Sequence, residues 1–384
     1  MSSPYYFQIP TQIIYGRYSA GQIGEVAGKL GIKKIQIITD TGVVSSGVLD
    51  KILAPLKEAG IAALVFDTVE PNPTIQTVDC AAEQYAQADC DGIIALGGGS
   101  PLDAGKAVGI LATNPGKAAD YLGVDKVKIP SAPVIGIPTT SGTAAEITDV
   151  AVLSDPARKA KLGLRSVYVA PRVAVLDPLL TLGLPPSPTR DSGLDALTHA
   201  IEAYISVNSW PGSDVLALRA IELVGKYLRR AVHVGKDIKA RDGMLVASLL
   251  AGMAFHNTKL CLVHAITGPL GGAYNLPHGA INAIVLPHAM QFMLPGAVDK
   301  YVDIAVALGE NIQGLSKRAA AEKAVAAVFQ LSRDVDLPSG LSYYNLKEED
   351  LTPLAPAIAG SFMVPLSPRV ASLSDVVNVL KAAL

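Results

Sequence analysis

The chain has 384 residues, half of them hydrophobic and 17% charged, with a formal net charge of -2. That balance excludes a disordered chain and gives no long-range attraction to nucleic acid or an anionic membrane. At this length two domains are expected, because single cores stop growing near roughly 250–300 residues.

The opening stretch, MSSPYYFQIPTQIIYG, has neither a basic n-region nor an apolar h-region, so no signal peptide is read there. Four β-branched or apolar runs follow: KKIQIITD (33–40), ALVFD (63–67), DGIIALGGGS (91–100) and APVIGIPTT (132–140). Each ends in a polar or Gly-rich turn. Between them, GVLDKILAPLKEAG and TIQTVDCAAEQYAQADC carry apolar residues at helical spacing. Strand–helix alternation with nearly continuous apolar strands predicts a parallel sheet covered on both faces.

GIIALGGGSPLDAGKAVGI reads as a strand, three glycines and a helix. Ser100 is placed to cap that helix, Pro101 suits its first position, and Asp103 falls where a capping-box acid belongs. Glycines at 97–99 let a ligand approach the backbone, and the helix start offers unpaired N–H groups suited to a pyrophosphate. Asp103 would repel such a ligand and is expected to turn toward the backbone. An ordinary tight turn accounts for the same glycines, and the pattern is not a strict GxGxxG. Two further segments favour a dinucleotide. IPTTSGTAAEIT (137–148) follows a strand with a run of hydroxyl side chains. Asp40 ends another strand, where it can bond a ribose 2′-OH and repel a 2′-phosphate, or act as a simple turn residue.

After the Pro-rich stretch DPLLTLGLPPSPTRDSG (177–193), nearly every segment has helical periodicity. The domain boundary is placed near Pro185–Pro188, giving a nucleotide-type domain at 1–186 and a helical one at 187–384. The most apolar segment, MLVASLLAGMAF, falls short of the roughly 20 residues that span a bilayer and reads as a buried helix. Ligands in such enzymes are expected in the cleft between domains.

In DSGLDALTHAIEAY, Asp195 and His199 are spaced i, i+4 and share one helix face. Alone, the two read as an exposed helix pair. VHAITGPLGGAYNLPHG places His264 and His278 around a glycine-rich turn in a chain with only six histidines. Together the four make a His₃Asp set, which suits Fe²⁺ or Zn²⁺ and not Mg²⁺ or Ca²⁺. Spacing does not show that the segments meet.

GGGSPLDAGKA, PTTSGTAAEIT, DALTHAIEAY and VHAITGPLGGAYNLPHG resemble, in order and spacing, the signatures of the iron-dependent (group III) alcohol dehydrogenases. The likeness covers almost the whole chain. It implies an α/β plus all-α protein, with a Rossmann-like N-terminal domain, a helical C-terminal domain and a site in the cleft between them. It implies Asp195, His199, His264 and His278 as ligands of Fe²⁺, sometimes Zn²⁺. For NAD, with NADP less favoured, it implies Asp40, Asn72, Gly98, Gly99, Ser100, Thr139, Thr140, Thr143 and Lys161. The plain alternative for Lys161 is a solvated basic turn. The expected substrate is a small alcohol or aldehyde, and a homo-oligomer is expected from the apolar helical domain.

Many relatives carry a further histidine four residues after the third ligand, where this chain has Gly268. That leaves the proton path and substrate type open. His256 is a possible substitute or a structural residue, and His233 and His288 read as structural or exposed. The cysteines Cys80, Cys90 and Cys261 form no CxxC pair and read as reduced thiols of a cytoplasmic protein. Cys261 has CxxH spacing to His264, but harder ligands are available. Three other readings of the scaffold are a metal-independent reductase similar to the maleylacetate reductases, a lyase similar to dehydroquinate synthase, and a binding protein without turnover.

Overall fold

The computed structural model describes residues 5–158 and 160–384. Residues 1–4, part of the stretch read as lacking a leader, lie outside them. The chain divides into two compact units, one of residues 9–184 and one formed mainly by 185–384.

The first unit is built on nine strands among the described residues. They are β1 (Gln12–Tyr15), β2 (Lys34–Ile38), β3 (Ala62–Phe66), β4 (Gly92–Gly97), β5 (Gly123–Val124), β6 (Val134–Pro138), β7 (Val150–Asp155), β8 (Ala160–Arg165) and β9 (Val173–Leu176). Six form a sheet of order β1-β9-β6-β4-β2-β3, parallel throughout. β4 at its centre shows why: Ile93 and Ala95 join the core on one face, Ile94 and Leu96 the core on the other. Every residue of β4 is buried. Strands clad on both faces cannot alternate with polar residues, and they read as apolar runs.

The remaining strands make a small sheet, β5-β8-β7, with β7 and β8 antiparallel. The sequence reading did not foresee this sheet or the strands β1 and β9. β1 and β9 have four residues each, and β8 is mostly half-buried, so none carries a long apolar signature.

The helical unit contains the long helices Pro186–Ile205, Pro211–His233, Ile238–Thr258, Leu262–Tyr274, His278–Met293 and Lys317–Asp334 around one extended apolar core. Two expectations are corrected here. The stretch 186–193, read as part of a Pro-rich boundary, is helical, because Pro186 and Pro188 sit in a first turn whose N–H groups need no partner within the helix. The segment 263–274, read as a glycine-rich turn, is helix as well. Its burial among apolar neighbours outweighs the poor helix propensity of Gly and Pro. The described residues before Ile9, assigned to the sheet domain from sequence, group with the helical unit. Tyr5 stacks on Trp210, and the Gln8 N–H donates to Asn257 Oδ1 at 2.8 Å. Among the described residues no single helix is long and apolar enough to cross a membrane.

Candidate metal centre and dinucleotide cradle

The Pro186–Ile205 helix is buried without interruption from Gly193 to Ile205. Within that run, Asp195, His199 and Glu202 recur at i, i+4 and i+7, so all three project from one face. Burying a carboxylate and an imidazole together is costly unless each finds partners. Here the partners come from the next helices. His264, third residue of Leu262–Tyr274, and His278, first residue of His278–Met293, both turn toward Asp195.

One ligand atom from each of Asp195, His199 and His264 lies within 4.8 Å of the others, and all three residues are buried. His199 Nδ1 is 3.8 Å from Asp195 Oδ2, and His278 Nε2 is 4.0 Å from Asp195 Oδ1. The imidazoles of His199 and His264 stack with centroids 4.7 Å apart, and those of His264 and His278 meet edge-on at 5.4 Å. On its other side, His199 stacks on Phe255. Burial by itself raises the Asp195 carboxyl. The imidazoles of His199, His278 and His264, with the Asn282 amide, outweigh it and hold that group below its ordinary range. A carboxylate and two imidazoles within mutual reach, with the His278 imidazole 4.0 Å from the same carboxylate, fit a borderline divalent cation such as Fe²⁺ or Zn²⁺, and the fit comes from the donor types themselves.

Gly279 makes this approach possible. A Cβ there would fall inside the van der Waals shell of the Asp191 carbonyl and reach 3.3 Å from Asp195 Cβ. At Gly268, one helical turn after His264, an added Cβ would meet nothing within 4 Å.

Two side chains of the cluster were not picked out from sequence. Asn282 Nδ2 donates to Asp195 Oδ1 at 2.7 Å and lies 3.1 Å from both His264 Nε2 and His278 Nε2. Its Oδ1 accepts from the Thr267 hydroxyl. Glu202, wholly buried, places Oε2 2.6 Å from His264 Nδ1 and accepts the Val263 N–H on Oε1 at 2.6 Å. Both carried a signal: Asn282 follows His278 by four residues, and Glu202 is an acid seven residues after Asp195 in an apolar helix.

The other histidines and Cys261 lie outside the clustered donors among the described residues. His233 bonds the Asp334 carbonyl, and His288 packs edge-on against Phe329, where burial lowers its pKa. His256 is half-buried on the helix that carries Phe255. Cys261 Sγ faces the carbonyls of Glu202 and Leu366, and burial pushes its thiol up, which disfavours the thiolate a metal needs.

In the sheet unit, the glycine turn and the hydroxyl run come together. Gly97 has a positive φ of 146°, and Gly98 is extended and serves as the N-cap of the helix Gly99–Leu111. Added Cβ atoms at Gly98 and Gly99 would press on the Thr140 and Thr143 methyl groups at 3.3 and 2.9 Å. The Thr139 N–H donates to the Gly97 carbonyl. The helix thus starts earlier than the sequence suggested: Ser100 and Pro101 lie within its first turn, and Ser100 does not cap it. Its Oγ instead accepts the N–H of Asn72, which has a positive φ of 58°. Asp103 is no capping acid. It pairs with Lys106 at 2.9 Å and accepts the Val152 backbone N–H at 3.0 Å, turned toward backbone as expected.

Asp40 follows β2 and caps the short helix Thr41–Ser45, its Oδ1 accepting from the Val43 N–H at 2.9 Å. Its Oδ2 faces Gly97. Lys161 lies on strand β8, not in a solvated turn, opposite Ser154, whose N–H bonds the Pro73 carbonyl beside Asn72. Burial lowers the Lys161 ammonium to about 8.

Two family models match the chain: "Iron-containing alcohol dehydrogenase" over residues 10–178, and "Fe-containing alcohol dehydrogenase family, C-terminal" over 189–384. The NAD-dependent methanol dehydrogenase of Bacillus methanolicus is 38% identical over 378 residues, spanning 98% of this chain and 99% of that protein. The 1,3-propanediol dehydrogenase of Klebsiella pneumoniae is 42% identical over 351 residues, 91% of each. Among solved structures, a 1,3-propanediol oxidoreductase superposes with a TM-score of 0.97 at 40% identity, covering 100% of both chains.

Proposed function

The chain belongs to the iron-containing alcohol dehydrogenase family, and from that premise we propose that Asp195, His199, His264 and His278 hold its catalytic cation. The enzyme is a metal-dependent oxidoreductase that moves a hydride between an alcohol, or the corresponding aldehyde or ketone, and NAD(H). The observation that carries the ligand assignment is the convergence of buried Asp195, His199 and His264 donors within 4.8 Å. Fe²⁺ is the proposed occupant, with Zn²⁺ the alternative that the same donors accept.

A divalent cation held there supplies Lewis acidity toward the substrate oxygen. The protein's own part is to hold its ligands fixed. Asp195 contributes the negative charge. The stacked rings of His199 and His264, backed by Phe255, are held by packing before any substrate arrives. His278, the most exposed of the four at 37% of its side chain, stands on the solvent side of the set.

For the dinucleotide, Gly98 and Gly99 admit a pyrophosphate to the helix start. Ser100, Thr139, Thr140 and Thr143 surround it with hydroxyl donors, and Lys161 adds charge from β8. Asn72 is assigned to the same site through its bond to Ser100. Asp40 favours NAD over NADP, because its free oxygen can accept from a ribose hydroxyl and repels a phosphate. A cytoplasmic homo-oligomer is the proposed working form.

The assignment is tested by His264→Ala and Asp195→Ala. Each is expected to lose bound metal and nearly all turnover while still binding NADH. A variant that keeps both metal and activity would overturn it.

A further inference from the structure

We propose that Glu202 is a positioning residue that sets the tautomer of His264, holding the proton on Nδ1 so that Nε2 is the unprotonated nitrogen that can serve the cation. The inference presupposes the metal assignment above. An imidazole can ligate through Nε2 only if its proton sits on Nδ1. Two contacts favour that arrangement. Glu202 Oε2 lies 2.6 Å from His264 Nδ1, and a carboxylate can only accept. On the opposite edge, Asn282 Nδ2 lies 3.1 Å from Nε2. That amide must present its NH₂, because the same atom is 2.7 Å from the acceptor Asp195 Oδ1. An acceptor at Nδ1 and a donor at Nε2 are mutually consistent with one tautomer.

Glu202 is itself held firmly. Its second oxygen takes the Val263 N–H, one of the first-turn donors of the Leu262–Tyr274 helix that have no partner within the helix. The carboxylate also lies at the positive end of that helix's dipole. One wholly buried side chain therefore fixes both the start of the helix and the ring it carries.

Glu202→Gln tests this with little change of shape. The Val263 N–H claims the amide oxygen, so the amide NH₂ faces His264 Nδ1 and requires the tautomer protonated on Nε2. Full-length protein with ¹⁵N-labelled histidine, stripped of metal, reports the tautomer by NMR, and competition with a chromophoric chelator reports zinc affinity. In the wild type, the His264 signal is expected to show a protonated Nδ1 and a bare Nε2. In the Gln variant, the two nitrogens exchange roles and zinc binds about 10–100-fold more weakly. Glu202→Asp, still acceptor-only, keeps the wild-type tautomer and recovers part of the affinity.

Unchanged zinc affinity in the Gln variant, or weaker zinc without a change of tautomer, overturns the proposal. If that variant does not fold, a wild-type His264 protonated on Nε2 overturns it by itself. Failure of the wild type to bind zinc or iron at all defeats the ligand assignment, a result distinct from either.

Discussion

Asp40 does two things with two oxygens: one caps a helix, the other faces the glycine turn. Asn caps as well as Asp but carries no charge, so Asp40→Asn separates the roles. It is expected to fold with an unchanged melting temperature while kcat/KM with NADP rises roughly tenfold, equal to about 1.4 kcal/mol. Steady-state assays with the two cofactors check this. Lys161 has a different signature. Its ammonium is lowered to about 8 by burial, so it is charged below that pH and neutral above it. KM for NAD⁺ is expected to increase as pH rises through 8. Lys161→Gln should start with a KM raised roughly tenfold at pH 7 and show no such rise. At this scale the sequence was informative where chemistry is local, as in the Asp195–His199 spacing. Asn282 was harder to see: its spacing four residues after His278 is a weak signal, and an amide in an apolar helix gains meaning only once Asp195, His264 and His278 are seen around it.

Helices and strands were legible in proportion to their length and burial. The central strands β2, β4 and β6 and the long helices announced themselves by period, whereas β1 and β9, of four residues each, and the half-buried β8 did not. The segment from His264 to Tyr274 misled for a physical reason. Gly and Pro normally punctuate a chain, but here they let buried helices pack closely. Gly279 is the sharpest case, pressed against the Asp191 carbonyl and Asp195. Gly279→Ala should force the His278–Met293 helix away from the Pro186–Ile205 helix. The expected cost is about 1–3 kcal/mol of stability, read by chemical denaturation, together with weaker metal binding by titration. If the variant matches the wild type in both, the helices are not in intimate contact there.

For the whole molecule, the four proposed ligands lie between residue 195 and residue 278 with no periodicity connecting them, yet Asp195, His199 and His264 come together and His278 approaches Asp195. What made the set legible was the joint order of four motifs, which identified a family. Geometry then supplied the partners Glu202, Thr267 and Asn282. A cation that binds only the folded protein stabilises it by mass action, about 2.7 kcal/mol at 100 times its dissociation constant. Exhaustive dialysis against a chelator should therefore abolish turnover and lower the melting temperature together, and Fe²⁺ or Zn²⁺ should restore both. Loss of neither would mean that catalysis and stability are independent of a metal.

The chain's single tryptophan, Trp210, lies under the rings of Tyr5 and Phe7. The helical unit thus borrows its covering from residues synthesised before the whole sheet unit, and it is complete only once both ends of that long detour are present. This gives the protein an intrinsic fluorophore at the seam. Shortening the Tyr5 and Phe7 side chains to alanine should red-shift tryptophan emission and leave dehydrogenase activity intact, a direct optical gauge of whether the leading segment is docked.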